Sequence, residues 1–435
     1  MAISAEPATA TGRDRDSTVA YVRALLADHA IHVVVIAVFA LYPWLYGALV
    51  GEVTPFDDYG LLAVLLPNSR VMAEVMYLAL FAISFDFISG YTGYLSFGHS
   101  MFFGAGMFLV LAARIGSLPL LGPGTSFMTL VLLAMVVTFV LTVLVGSVSF
   151  KLTGVYFAMI TLGFAEIAKL LMIERFGAES AVTPQASDYA LGVPFVPDLQ
   201  LPLGSGSDAV VRFLGRSLSA TVTSYYLLGL VALLSYFALQ RIIHSPFGRV
   251  MVAIRENEAR AEAIGYDTYW YKMAAFGISG AVAALAGALA AGFQNSGDPT
   301  IHFDVIEMSG DALLATIIGG MGTLAGPLYG FLFLRGLDEI LGGTISLVGW
   351  IENTVPGLVE TGLGVGVTIQ DLLNNSVQGF AGLYVGIVFI LFILYVPGGM
   401  LGTIRARVGG PLANRFPAWL RQRGRSLSEL LGRDR

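Results

Sequence analysis

Long apolar runs separated by short polar stretches set the plan of this chain. Ten segments are apolar enough to be read as membrane-spanning helices: Ile31–Val50, Val71–Ile88, Ser100–Ile115, Phe127–Val148, Gly154–Ile173, Ser224–Leu239, Met273–Phe293, Met308–Ile318, Gly326–Leu341 and Ala381–Tyr395. Several are short or interrupted by glycine. The expected fold class is therefore all-α, a polytopic helical bundle with about ten crossings and glycine-broken helices. Residues 1–30 and 398–435 are polar tails flanking a membrane domain at 31–397.

The strongest break in the pattern is the island Ser245–Lys272, SPFGRVMVAIRENEARAEAIGYDTYWYK. It carries Arg249, Arg255, Arg260 and Lys272 against Glu256, Glu258, Glu262 and Asp267. At about 2.5–3.5 kcal/mol per charge in mid-bilayer, these groups would together cost roughly 20 kcal/mol or more, so the segment lies in water beside the membrane. A helix over Val250–Ile264 places Val250, Ile254, Asn257, Ala261 and Ile264 in one narrow stripe, with the charged side chains elsewhere. Such a stripe can dock on another protein.

Composition agrees with a membrane protein: 56% of the 435 residues are hydrophobic, 12% are charged and 52 are glycine. Backbone groups in hydrocarbon must be bonded internally, and apolar runs of this length favour helices over a closed barrel. The chain has no cysteine, which excludes thiol catalysis, disulfides and Cys-based metal sites. Its first thirty residues lack the short apolar core of a cleavable signal.

Basic residues set the orientation. Five fall between Arg241 and Lys272, and eight lie beyond Tyr395 (Arg405, Arg407, Arg415, Arg421, Arg423, Arg425, Arg433 and Arg435). The positive-inside rule puts both regions on the cytoplasmic face, and an even number of crossings puts the N-terminus there too. Residues 176–222 are then an extracytoplasmic insertion, either a docking surface for a ligand-delivering protein or an inert solvated loop. Gly342–Gly379, with Glu352, Asn353, Asp371, Asn374 and Asn375, is a second outward segment that can join the same surface.

Two glycine-rich segments stand out within the membrane domain. The first, Gly90-Tyr-Thr-Gly93-Tyr-Leu-Ser96-Phe-Gly98-His99, offers close backbone approach and hydrogen-bonding groups; the second runs Gly319-Gly320-Met-Gly322 to Gly330. They read either as broken helices lining a pathway or as close helix packing through small residues. Ionisable groups within spans look sparse: Asp86, Asp311, and Glu166 with Lys169 one turn away as a potential ion pair. Glu166 is read as a pathway residue or as part of a structural pair, and His99 as a hydrogen-bonded core histidine rather than a proton carrier. Metal-ligand spacing is absent, as is a Gly-Lys-Ser/Thr phosphate loop, so this chain should not hydrolyse ATP itself.

Gly90–His99, Thr161-Leu-Gly-Phe-Ala-Glu166, the island Arg249–Asp267 and Gly319–Gly330, in this order, resemble the permease subunits of branched-chain amino acid ABC importers over about Val71–Pro397. The resemblance implies a non-enzymatic permease in the cell (plasma) membrane, with no cofactor and no nucleic-acid partner. It also implies two ATP-binding subunits, a second homologous permease and an extracytoplasmic solute-binding protein as partners, besides membrane lipid. The island matches the family's ATPase-coupling segment, which assigns that role to Arg249, Arg255, Glu256, Asn257, Glu258, Arg260, Glu262 and Gly265. Candidate pathway residues are Gly90, Gly93, Ser96, Gly98, His99, Thr161, Glu166, Gly319, Gly320 and Gly322. One departure is local: Glu258-Ala259-Arg260 precedes Gly265 by seven positions, where the general importer loop has six. Branched-chain or related amino acids are the expected cargo. A permease for urea or short amides and an ion-coupled secondary transporter using Asp86 or Glu166 are the alternatives. A membrane enzyme is disfavoured by the lack of a nucleophile, metal or paired-acid constellation.

Overall fold

A computed structural model describes residues 30–51, 60–119, 121–177, 182–183, 189–193, 196–204, 210–213, 216–342, 347–354, 379–396 and 398–404. Most of the two tails and of the segment 342–379 thus lies outside the described residues, including Asp371, Asn374 and Asn375. The chain forms two compact units, one of Tyr46–Gly402 and one of the residues flanking it on either side; the architecture below belongs to the first.

In chain order the helices are α1 (Ala30–Leu49), α2 (Leu61–Leu65), α3 (Ser69–Thr92), α4 (His99–Arg114), α5 (Phe127–Ser149) and α6 (Val155–Phe176). After four short strands come α7 (Ala220–Ile243), α8 (Pro246–Ala263), α9 (Thr268–Gln294), α10 (Pro299–His302), a π-helical turn (Val305–Gly310) and α11 (Asp311–Gly319). The series ends with α12 (Gly326–Gly342), α13 (Leu347–Thr354), α14 (Ala381–Tyr395) and α15 (Gly399–Ile404). The all-α class holds for the membrane domain, and five of the described helices are long and apolar enough to cross a bilayer by length and composition.

Two helices form the axis. α3 and α9 are almost entirely enclosed, whereas α5, α6 and α7 leave most of their apolar surface open. Exposed Leu132, Val136, Val140, Met159, Leu170 and Leu234 make those outer faces suited to lipid chains. α9 packs on α3, α4 and α5, and its small residues let backbones touch. A methyl group at Gly287 would collide with the Phe103 carbonyl of α4, so only glycine permits that approach.

The eighth expected span departs from the simple pattern. Met308–Ile318 is divided between the π turn and the nine-residue α11, and the chain returns along α12 after the loop 320–325. Asp304 caps the π turn, its Oδ1 accepting the Ile306 and Glu307 amides at 2.7 and 3.0 Å. Gly319 has no room for a side chain against the Gly326 carbonyl, so here small residues serve close packing.

The insertion between α6 and α7 is the one described region with β-hairpins. β1 (Tyr189–Val193) pairs antiparallel with β2 (Val196–Leu203), in register Tyr189 to Leu203, with an irregularity between Gly192 and Val193. β3 (Val210–Phe213) pairs antiparallel with β4 (Arg216–Ser219). Bonds among the described residues tie this region to the bundle. Val182 and Gly297 exchange backbone hydrogen bonds of 2.8 and 3.1 Å, and the Gly204 amide donates to Ser224 Oγ at 3.0 Å.

Candidate functional site: the joint beneath the polar helix

The polar island folds as α8, beginning with Pro246 in the first turn, where its missing N–H costs nothing. It ends at Gly265 with φ +96°, and the Tyr266 and Gly265 amides donate to the Ala261 and Glu262 carbonyls at 3.2 and 2.9 Å. That is a Schellman cap, and it explains the glycine without any partner protein. The helix breaks once, at Asn257, whose backbone is extended (φ −166°, ψ 103°). Asn257 Oδ1 accepts the Arg260 amide at 2.9 Å, so it caps the second half as a new N-terminus.

This break corrects the expected docking stripe. Val250, Ile254 and Ala261 are buried, together with Met251, as α8 packs on the chain's own α3, α7 and α9. Asn257 is exposed and Ile264 is 69% exposed, because the kink rotates the second half out of line. The stripe seats the helix on its own bundle. What remains open to a partner is the opposite face, with Glu256, Asn257, Ala259, Arg260, Glu262 and Ile264, and beyond it Tyr266 and Trp270. Arg249 is also exposed.

Two side chains reach from α8 back into the bundle. Arg255 Nη1 donates to the Gly90 carbonyl at 2.5 Å, near the end of α3. Beside it the Gly322 amide donates to Asp86 Oδ1 at 2.8 Å, joining the loop 320–325 to α3. The two glycine segments therefore meet under one guanidinium. A Cβ at Gly90 would overlap the Asp86 carboxylate and stand 2.7 Å from the Gly322 nitrogen; one at Gly322, where φ is +76°, would stand 3.1 Å from Arg255 Nη1. Gly93 closes α3 in the left-handed conformation (φ 79°) against the Arg255 side chain, and Gly320 has φ +115°.

The second anchor is Glu258. Tyr94 Oη donates to Glu258 Oε2 at 2.5 Å, Lys272 Nζ bonds Oε1, and the Thr268 hydroxyl lies 2.9 Å from Oε1 and 2.8 Å from Glu262 Oε1. Lys272 is buried, with its ammonium 4.9 Å from the Tyr94 ring centre and 5.6 Å from that of Phe150. Burial pushes the Glu258 carboxyl upward, but the hydrogen bonds from Lys272, Tyr94 and Thr268 and the Lys272 charge outweigh it. The net effect holds Glu258 below the usual carboxylate range.

The remaining candidates are placed away from this joint. His99 is fully buried between Phe81, Phe85, Phe102 and Phe276, with Nε2 2.7 Å from Ser279 Oγ. Ser279 spends its own hydrogen on the Ser84 carbonyl at 2.5 Å, so it accepts from His99. His99 is thus a core histidine. Thr161 Oγ1 accepts the Phe97 amide at 3.2 Å, Gly98 packs on Thr161, and Ser96 is buried with Oγ 3.3 Å from the Gly98 amide. Those residues lace the break between α3 and α4 to α6. Glu166 stays half-buried, and the potential partner Lys169 pairs instead with Asp304. Tyr94, Thr268 and Asp86 belong to the joint although the sequence reading assigned no coupling role to them; the polar Tyr94, Thr268 and Lys272 at span ends were the available signal.

Residues 69–360 match the family model described as branched-chain amino acid transport system / permease component, which covers more than half the chain. Among curated relatives, the high-affinity branched-chain amino acid transport system permease protein LivM of Salmonella typhimurium is 32% identical over 206 residues, 46% of this chain and 47% of the relative. The LivM of Escherichia coli K12 is 32% identical over 186 residues, 41% and 43% of the two chains. The autoinducer 2 import system permease protein LsrC of Salmonella paratyphi B is 28% identical over 167 residues, 38% and 45% of the two. The chain thus spans less than half the length of each of these relatives, and no solved structure gives a significant match. With the family model covering α3 to α13, the joint and the polar helix among them, the chain belongs to the branched-chain amino acid transport permease family, a family of membrane subunits of ABC transporters.

Proposed function

We propose that this chain is a transmembrane permease subunit of an ATP-driven importer, translocating branched-chain or related amino acids handed over by an extracytoplasmic solute-binding protein. It works with a second homologous permease and two ATP-binding subunits, and both its termini are cytoplasmic. The observation that carries this reading is α8: buried on one side, latched by Arg255 and Glu258 to the first glycine segment, which Asp86 ties to the second, and open on the other. A polar helix seated in this way can be pushed by a partner and pass the displacement to α3 and to the α11–α12 loop. Arg249, Glu256, Asn257, Arg260 and Glu262 lie where the partner would touch, while Arg255, Glu258 and Gly265 hold the helix in shape.

The first glycine segment, Gly90 to His99, acts in this account as the moving joint rather than as the lining of the pathway. Reconstitution tests the proposal: the co-expressed permease pair, ATP-binding chains and binding protein in liposomes should take up labelled L-leucine only with ATP inside the cytoplasmic compartment. Substrate-driven ion flux through the lone chain would replace this reading with a secondary transporter. The relatives named for autoinducer 2 import keep a cargo other than an amino acid as the second reading.

A further inference from the structure

Charges within the spans are less sparse than the hydropathy pattern implies, because three packed helices, α3, α11 and α12, carry several of them. Asp311 opens α11 directly after the π turn, nine residues before the loop 320–325 begins, and Arg335 lies on α12, ten residues after that loop ends. At 1.5 Å per residue they are about 13 and 15 Å from the loop. A hydrocarbon core is about 30 Å deep, so with the loop at one face both side chains sit near the middle. α3 adds Glu74 and Tyr77, and α9 adds Gln294, whose Nε2 donates to Tyr77 Oη at 2.7 Å. α3, α11 and α12 pack against one another, and the close approaches of Gly319 to Gly326 and of Gly330 to Ala315 pair α11 with α12 so that Asp311 lies across from Leu334, next to Arg335.

The bonding inside this cluster is incomplete. Arg335 Nη1 reaches Asp338 Oδ2 at 3.5 Å along its own helix, while Arg335 Nε is sealed from solvent without a partner among the described residues. Glu74 is already held by Arg70, at 3.5 Å. Asp311 makes no ion pair within 4.0 Å and no side-chain hydrogen bond among the described residues. Asp311 and Arg335 thus stand on packed helices with a gap that neither closes. A purely structural pair in a membrane would close it, since an unpaired charge there is costly. Transporters place cargo at the midplane beside broken helices, and π turns recur at functional positions.

We infer that Arg335 and Asp311 are the two poles of a binding site for a zwitterionic amino acid. The Arg335 fork takes the α-carboxylate, Asp311 takes the α-ammonium, and the cargo supplies the bonds the chain leaves open. This site deepens the proposed import of amino acids and rests on that reading.

Labelled L-leucine uptake by the full reconstituted complex is the test, measured with basal ATP hydrolysis and subunit assembly. Arg335→Gln and Asp311→Asn should each lower uptake about ten-fold or more while basal hydrolysis and assembly stay within two-fold. Arg335→Lys, which keeps the charge and loses the fork, should fall in between and guards against a failure to fold. Unchanged leucine uptake in these variants overturns the site. So does full recovery in the exchange Asp311→Arg with Arg335→Asp, which would make the two a structural pair. A wild-type complex that hydrolyses ATP but moves no leucine defeats the amino-acid reading instead, a result distinct from either of these.

Discussion

The two ends of α3 are built in opposite ways. Near its C-terminus, Asp86, Gly90 and Gly93 are locked by the Gly322 amide and the Arg255 guanidinium, at distances that leave no space for a methyl group. Along the rest of its length it packs on α11 and α12, whose Asp311 and Arg335 make no ion pair with each other. The contrast teaches a division of labour within one helix. A joint that transmits displacement must be filled, because slack would absorb the motion; a site that receives cargo must leave bonds unmade.

The filled end can be broken most severely at its glycines. Gly90→Val would force the branched side chain into Asp86 and the Gly322 backbone, so uptake should vanish and unfolding in detergent should show a loss of about 1–3 kcal/mol from overpacking. Equal stability and normal uptake would mean the joint is loose. Arg255→Ala and Glu258→Gln should come next, cutting substrate-stimulated ATP hydrolysis and uptake about five-fold or more while membrane insertion persists. Preserved stimulation in both would detach α8 from transmission.

Glu258 also gives the joint a pH signature. Its carboxyl is depressed in the folded chain, so the anchor contributes fully above the ordinary glutamate value of about 4.3 and is lost as pH falls through the lower folded value. The difference in thermal stability between wild type and Glu258→Gln should accordingly shrink below about pH 4. A difference that grows on acidification would reverse the assignment. The smallest effect is expected at the hairpin insertion. Val182→Pro removes one backbone hydrogen bond to Gly297 and should cost about 1 kcal/mol, with ATP hydrolysis unaltered.

Hydropathy made the bundle legible, because the apolar runs became helix, and Pro246–Ala263 is not among the helices apolar enough to cross, although Thr268–Lys272 of the same island opens one that is. The direction of its apolar stripe was not legible. A periodicity argument assumes a straight helix, and Asn257 bends this one, while burial against α3 uses the stripe that seemed free. Glu74 and Arg335 escaped notice because one charge among apolar neighbours barely alters a window average. The hairpins at 189–219 were hidden for a related reason: four strands of four to eight residues in a polar segment carry little periodic signal. Glu166 and His99 drew attention as polar residues in spans, yet one lies apart from the joint and the other fills an aromatic core.

The central claim is that α8 presents its exposed face to an ATP-binding chain while its buried face holds the bundle. With no native cysteine, single cysteines at Ala259, Ala263 and Ala261 can each carry a photoreactive maleimide in the assembled complex. Cross-links to the co-expressed ATP-binding chain should form from Ala259→Cys and Ala263→Cys, which are exposed, and not from Ala261→Cys, which is 2% exposed. Cross-linking from Ala261→Cys alone, or from none of the three in a complex that transports, would contradict the account.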